Sequence, residues 1–475
     1  VRQPIRLTAI ALALLCVFTM GAGVAVARLL PARLAFWRPP RIITRTLAGP
    51  GQVLGTAAGT PSAPPGATRA GLNSALAPIV GSGDLGSRLG LLVTDLATGR
   101  VLYASNASTG FTPASTTKLA TATAILQVLG PDARFTTAVV TGPGSRRIVL
   151  VGGGDPTLAA GDPPASQYPQ PATLVDLASK TARALRERGV RSVELAYDTS
   201  LYAGPGLGPG WSASDVSTGN VSAITALEVD QGRLTPSGRP EDADDPGNLR
   251  LRSADPAAQA AAVFAAFLRA DGISVPRAPA QTVAPSGATT VASVSSPPLS
   301  QIIEWMLVES NNVIAENLAR HIALATRAQP SFVGAAAAEE SVLRGLGVTG
   351  IQLQDGSGLS SGNLITPAAL VQVIGLDASR PRLRSVLTGT PVYGFSGTLA
   401  NVPGNYFYGG AGPALGLVRA KTGNLETVIA LAGIAYARDG QLLAFAVMAD
   451  RLKALPAAGG ALANIANVLA GCGCR

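Results

Sequence analysis

Histidine is almost missing from this chain. His321 is the single imidazole in 475 residues, and of the 37 basic residues only four are lysine (Lys118, Lys180, Lys421 and Lys453), the rest being arginine. One imidazole cannot build a histidine-rich zinc site or a His-x-x-x-His metalloprotease helix, and most histidine general-base schemes need more. What survives is a mechanism centred on His321 or one that uses no histidine. Cysteine is equally scarce, with Cys16 in an apolar run and Cys472 and Cys474 in the tail. No metal centre is expected from so few ligands. A bridge across one residue would be strained, so the tail thiols are expected to be free or paired with another molecule. Acidic residues are missing from the first 70 positions, which hold eight arginines. Eight of the nine net positive charges therefore reside there, since residues 71–475 carry 29 basic against 28 acidic side chains. That ordinary balance excludes nucleic acid as a partner of the folded part.

Leu7–Ala27 is uncharged over 21 residues, follows Arg2 and Arg6, and ends in the small-x-small pattern Ala25-Val26-Ala27. It reads as an export signal or, if retained, a membrane anchor, and either places the protein in the periplasm or cell wall. Five arginines from Arg28 to Arg45 favour cleavage, because positive charge beside a retained anchor prefers the cytoplasmic side. Residues 47–72 are rich in Gly, Pro, Ala, Ser and Thr without periodicity, a flexible spacer composition. The expected organisation is a signal or anchor over 1–27, a basic linker over 28–71, and folded structure from near Leu72.

Residues 91–105 read as two strands around Thr98-Gly99-Arg100, and 113–129 as a helix closed by Gly130, with Leu119, Ala122, Leu126 and Leu129 on one face. Near the other end, 415–423, 427–437 and 441–449 read as three strands, the last two joined at Asp439-Gly440, before a helix over 456–470. Strands from both ends suggest one antiparallel sheet and an α/β (α+β) domain split into 72–135 and 296–475. The middle, 136–295, would be an inserted domain, with strands at Arg147–Val151 and Val193–Tyr197 and helices at Ala172–Arg188 and Pro256–Ala270. Residues 276–299 read as a loop leading into an amphipathic helix from Leu299.

If histidine is not the base, lysine is the next candidate, because burial and nearby positive charge can make its amine neutral, whereas arginine keeps its proton. Lys118 stands three residues after Ser115 at a helix start, so hydroxyl and amine project from one face. Lys421 opens Lys421-Thr422-Gly423 on a strand. Between them, Ser310-Asn311-Asn312 separates the apolar helices Ile302–Val308 and Val313–Leu324. Each pattern is weak alone. Their order, their placement on helix start, interhelical turn and strand, and their use of two of only four lysines make the set specific. It is the motif set of penicillin-binding proteins and serine β-lactamases.

Further segments strengthen a resemblance. Gly152–Leu158, Asp198-Thr199-Ser200-Leu201-Tyr202 with Gly210-Trp211, Asp355–Ser360 and Ser396–Leu399 are similar to signatures of the D-alanyl-D-alanine carboxypeptidase/endopeptidase group, the low-molecular-mass class C penicillin-binding proteins. The alanine- and arginine-rich composition resembles that of actinobacterial proteins. The resemblance runs from about Leu72 to Ala470. It implies a penicillin-binding protein/serine β-lactamase-like domain, a five-stranded antiparallel sheet flanked by helices and interrupted by an insertion, here shorter than usual. It implies an exported serine D-Ala-D-Ala carboxypeptidase, with DD-endopeptidase activity as a further option, acting on peptidoglycan stem peptides ending in D-Ala-D-Ala and acylated by β-lactams. No cofactor is implied, and membrane association would come only through residues 7–27.

By that resemblance Ser115 is the nucleophile, Lys118 its base, Ser310 the relay to the leaving amine, Asn312 the holder of Lys118 and the substrate amide, and Lys421 the electrostatic support. Thr422 and Gly423 would meet the substrate, with the oxyanion hole formed by the N–H groups of Ser115 and Asn424. Asn424 stands where relatives carry threonine. Asp198 matches the residue that contacts the amine end of diaminopimelate, and Ser361 stands where relatives carry an arginine for its carboxylate. That replacement suggests a stem peptide whose carboxylate is amidated or left unclamped. His321 has no serine and acid to frame it and is expected to be structural. Two competing readings are a β-lactamase or related serine esterase, and a non-catalytic wall-binding or antibiotic-sensing module.

Overall fold

The structure is a computed structural model and describes residues 67–234 and 251–474. The export segment and almost all of the spacer lie outside the described residues. Five strands, β1 (Arg88–Asp95), β2 (Val101–Ser105), β10 (Val418–Leu425), β11 (Val428–Tyr436) and β12 (Leu442–Asp450), form one sheet in the order β10-β11-β12-β1-β2. Every neighbouring pair is antiparallel, with Leu91 opposite Val447 where the two ends of the chain meet.

Strand alternation sorts the sheet's two faces. Ile429, Leu431, Phe445 and Val447 join a core with α1 (Arg69–Val80) and the closing helix Leu455–Gly471. The intervening Ala430, Ala432, Ala444 and Ala446 face the other core. Those alanines leave room for a thick helical layer: α2 (Thr117–Leu129), α5 (Leu299–Val308), α6 (Asn312–Ala325), α7 (Phe332–Gly345) and α8 (Pro367–Ser379). Helix α2 runs through that layer and is buried on nearly every side from Thr117 to Leu126, so the single apolar face expected from its leucines is too narrow. Small Ala and Thr side chains allow neighbours to approach all round it. Gly130 closes it with a φ of 83°.

A second sheet comes from the intervening chain: β3 (Thr136–Thr141), β4 (Arg147–Val151), β5 (Glu194–Asp198), β6 (Ala280–Gln281) and β7 (Thr289–Ser295), ordered β6-β5-β4-β3-β7, and a two-stranded ribbon pairs β8 (Ile351–Gln352) with β9 (Leu364–Ile365). Its parallel pairs, β4 with β5 and β5 with β6, require crossovers, supplied by α3 (Leu174–Glu187) and α4 (Pro256–Ala270). Here the reading of 276–299 as a loop is corrected, since β7 lies within it and pairs with β3. It is an edge strand with only Val294 buried, so it carries little of the apolar alternation by which strands are recognised.

The tail also departs from expectation. Cys472 and Cys474 are joined in a disulfide, with Cα atoms 4.8 Å apart, and are neither free nor paired elsewhere. Cys472 is buried in the core, and the Cys474 carbonyl accepts the Thr68 N–H at 2.7 Å at the start of α1. Docking of the tail brings the two sulfurs together, which spacing alone does not reveal.

Candidate active site

The turn before α2 carries Ser115 between Ala114, whose φ is 47°, and the first residues of the helix. Lys118, one turn on, is fully buried and places Nζ 2.8 Å from Ser115 Oγ. It also lies 2.7 Å from Asn312 Oδ1 and 2.7 Å from the Ser357 carbonyl. Asn312 is the first residue of α6. Asn311 caps that helix through its side chain, which accepts the Ile314 N–H, and Ser310 precedes it with a φ of 57°. Left-handed backbone at two non-glycine residues costs of the order of 1–3 kcal/mol each, and both flank the same cluster.

The second lysine comes from the sheet. Lys421 on β10 is buried and donates to Ser310 Oγ at 2.8 Å and to the Thr422 carbonyl at 2.9 Å. Gly423 allows β10 to approach the Ser115 turn. A methyl group there would sit 2.7 Å from the Pro113 carbonyl oxygen and 3.1 Å from the amide nitrogens of both Ser115 and Thr116. Asn424 follows and is exposed. The geometry therefore joins Lys118 with Ser115 and Asn312, and Lys421 with Ser310, with Thr422, Gly423 and Asn424 alongside. Burial, and then the charge of Lys421, hold the Lys118 amine well below the usual lysine range, against the opposing pull of Asp355 and Glu316.

The remaining residues named from the sequence are placed differently. Ser361 is exposed, and its carbonyl accepts from Thr112 Oγ1 at 3.3 Å, near the start of the Ser115 turn. Asp198 ends β5 and is only 4% exposed. Its two carboxylate oxygens accept the N–H groups of Ser200 and Ala284, each at 2.7 Å. His321 is packed away: it stacks on Phe135 at 3.8 Å, its Nε2 lies 2.9 Å from the Gly154 carbonyl, and burial pushes its pKa down to about 4.

Three groups escaped the sequence reading. Thr398 bonds Thr422 Oγ1 at 2.6 Å, the Ser357 carbonyl meets Lys118, and the Asn220 carbonyl accepts from Asn312 Nδ2 at 3.0 Å. Thr398 and Ser357 lie inside segments singled out as signatures, which was the available signal. The Asp355–Ser360 loop reaches the site because Gly358 adopts a φ of 89° directly over Ala114, where a methyl group would overlap the Ala114 carbonyl.

The likeness to known proteins agrees with this arrangement. Residues 72–250 and 238–467 match the D-Ala-D-Ala carboxypeptidase 3 (S13) family. The chain is 38% identical to Carboxypeptidase DacB of Mycolicibacterium smegmatis over 86% of both chains. It is 36% identical to a carboxypeptidase of Mycobacterium tuberculosis over 92% of this chain and 89% of that one. In fold it resembles penicillin binding protein 4 of Haemophilus influenzae, with a TM-score of 0.67 at 22% identity, covering 83% of this chain and 99% of that one. The chain belongs to the D-Ala-D-Ala carboxypeptidase 3 (S13) family and is a serine-type D-Ala-D-Ala carboxypeptidase of the penicillin-binding class.

Proposed function

We propose that in this peptidoglycan carboxypeptidase Ser115 is the nucleophile and Lys118 the base that activates it. The observation carrying this is the 2.8 Å approach of a fully buried lysine amine to a half-buried serine hydroxyl. A desolvated amine close to a second ammonium is neutral at a pH where a free lysine is charged, so it can accept the serine proton. Ser115 Oγ attacks the carbonyl of the penultimate D-alanine, and its proton moves to Lys118 Nζ. The oxyanion takes the backbone N–H groups of Ser115 and Asn424, which the close packing of Gly423 keeps adjacent.

Collapse expels D-alanine, whose nitrogen receives a proton through Ser310 with Lys421 beside it. Water then releases the acyl group. Thr422, whose hydroxyl donates to Thr398 Oγ1 at 2.6 Å, is assigned to the terminal carboxylate. Asn312 holds Lys118 and has an amide to offer the substrate. β-Lactams acylate the same serine. Ser361, with no cationic group to offer a carboxylate, supports a stem peptide amidated or unclamped at diaminopimelate, and a strong preference for the free-acid peptide would sink that part. Asp198, already bonded to two backbone N–H groups, supports a role in shaping its loop more than direct capture of an amine.

This class of enzyme works at the cell wall, outside the cytoplasm. Residues 7–27 supply the export segment in our reading, and amino-terminal sequencing of the protein recovered from cells tests cleavage after Ala27. The central test is intact-mass analysis after benzylpenicillin together with D-alanine release from a pentapeptide. We expect one penicilloyl adduct on Ser115, release of D-alanine, and loss of both in Ser115→Ala. Rapid turnover of a chromogenic cephalosporin would favour the β-lactamase reading, and failure of both assays with folded protein would favour a binding module.

A further inference from the structure

Beneath Lys118 lies a group of buried charges that the chemistry above does not use. Helix α6 presents Asn312, Glu316 and Arg320 at intervals of four residues, so they form one stripe. Asn312 meets Lys118. One turn down, Glu316 is 1% exposed, and its oxygens accept the N–H groups of Ser357 at 2.7 Å and Gly356 at 3.2 Å. The carbonyl of that same Ser357 receives Lys118 Nζ at 2.7 Å. One residue, Ser357, thus takes the Glu316 carboxylate on its N–H and the base on its carbonyl.

The loop is pressed onto α6 to make this contact. Gly356 packs so closely that a methyl group there would lie 2.7 Å from Ala319 Cβ and 3.1 Å from the Ala315 carbonyl oxygen. On its other side the Thr121 hydroxyl of α2 donates to the Gly356 carbonyl at 2.7 Å, with Glu339 of α7 3.1 Å from that hydroxyl.

We propose that Glu316 is a positioning residue for the base: its carboxylate clamps the Gly356-Ser357 backbone so that the Ser357 carbonyl holds the Lys118 amine, and its charge answers the ammonium formed when Ser115 loses its proton. The inference rests on the assignment of Ser115 and Lys118 above. Ionised acceptors make the stronger hydrogen bonds, so a charged Glu316 holds two adjacent peptide N–H groups more rigidly than a neutral side chain could.

The charged and titratable groups facing Glu316 are Lys118 on α2, Glu339 on α7, Asp355 on the loop and Arg320 on its own helix. Burial holds Glu339 well above the usual carboxylate range. Burial, and then Asp355, lift Glu316 to about 7. Negative charge at Glu316 raises the affinity of Lys118 for its proton. Removing that charge makes the amine a weaker base that stays neutral to lower pH.

The test is the second-order rate of acylation by a reporter penicillin on the full chain, from about pH 5 to about pH 9, with intact mass locating the adduct and thermal melting as the folding control. Glu316→Gln keeps much of the shape and loses the charge. We expect its plateau rate above about pH 7, where Glu316 is ionised, to fall about tenfold or more and its acid limb to move down. Glu316→Asp keeps the charge and loses reach, so its plateau should fall about 10- to 100-fold with the limb in place. A wild-type profile in Glu316→Gln overturns the proposal, as does an equal loss in both variants with neither limb moved. If Glu316→Gln does not fold, an unchanged plateau in Glu316→Asp overturns it. Absence of an adduct on Ser115 in the wild type would instead remove the assignment of the site itself.

Discussion

Helix α6 carries a buried polar cluster towards each end, and the two are built from similar materials to different effect. At the amino end Asn312 and Glu316 meet Lys118, Ser115 and the Ser357 loop, and the cluster opens to solvent through half-buried Ser115 and Ser310. Towards the carboxyl end Asn317 and His321 meet residues of the 136–295 segment. Asn317 Nδ2 donates to Glu228 Oε1 at 2.7 Å, Tyr202 OH donates to Asn317 Oδ1 at 3.0 Å, and His321 sits on the Gly154 carbonyl. Both clusters are desolvated, and burial shifts pKa values in both. Only the first holds the serine proposed as nucleophile, beside a lysine whose pKa is lowered. A perturbed pKa therefore does not mark chemistry by itself; access and a reactive neighbour decide.

If that contrast is sound, substitutions at the amino end should change rate, and those at the other end should change stability and its pH dependence. The largest effect is expected from Lys118→Ala, with acylation by penicillin about 10²- to 10⁴-fold slower. An adduct forming at the wild-type rate would erase the contrast. Next comes Gly423→Val, whose side chain would push β10 off the Ser115 turn. About 10²-fold is expected there, read as a loss of rate in a protein that still melts cooperatively.

At the other end, burial lifts the Glu228 carboxyl to about 8. The folded state therefore keeps a proton that the unfolded chain releases near 4.5, and this group makes stability fall as pH rises between those values. Glu228→Gln should remove that fall in urea unfolding measured across the window, with acylation unaltered. His321 has the opposite sign. Its folded pKa of about 4 lies below the ordinary imidazole value of 6.5, so its contribution to stability is lost as pH drops from about 6.5 to about 4. His321→Gln should flatten that acid slope and lose about 1 kcal/mol with the Phe135 stacking, while acylation stays within about twofold. Abolished acylation in a folded His321→Gln protein would return the imidazole to the mechanism.

Local pattern carried much of the architecture. The β1–β2 hairpin, the three closing strands, α4 and the start of α5 lie within a few residues of where hydrophobic period and turn residues put them. Strand β7 was lost because an exposed edge carries polar side chains on both faces, and the disulfide was lost because docking of the tail against α1 brings its sulfurs together. Glu316 was invisible for another reason. A glutamate inside an amphipathic helix resembles any surface residue until its partners, backbone amides forty residues further on, come into view.

What the sequence determined by itself was the type of chemistry. With one histidine and four lysines, the Ser115–Lys118 spacing on a helix start and the Lys421-Thr422-Gly423 strand were left as the available base and its support, and both are short-range patterns. What only the tertiary structure decided was reactivity. The contacts that surround Lys118 reach 194 and 239 residues along the chain, and those of Lys421 reach 111. The displacement of the Lys118 amine comes from excluding water and placing a second ammonium nearby, and both arise only when distant segments pack together.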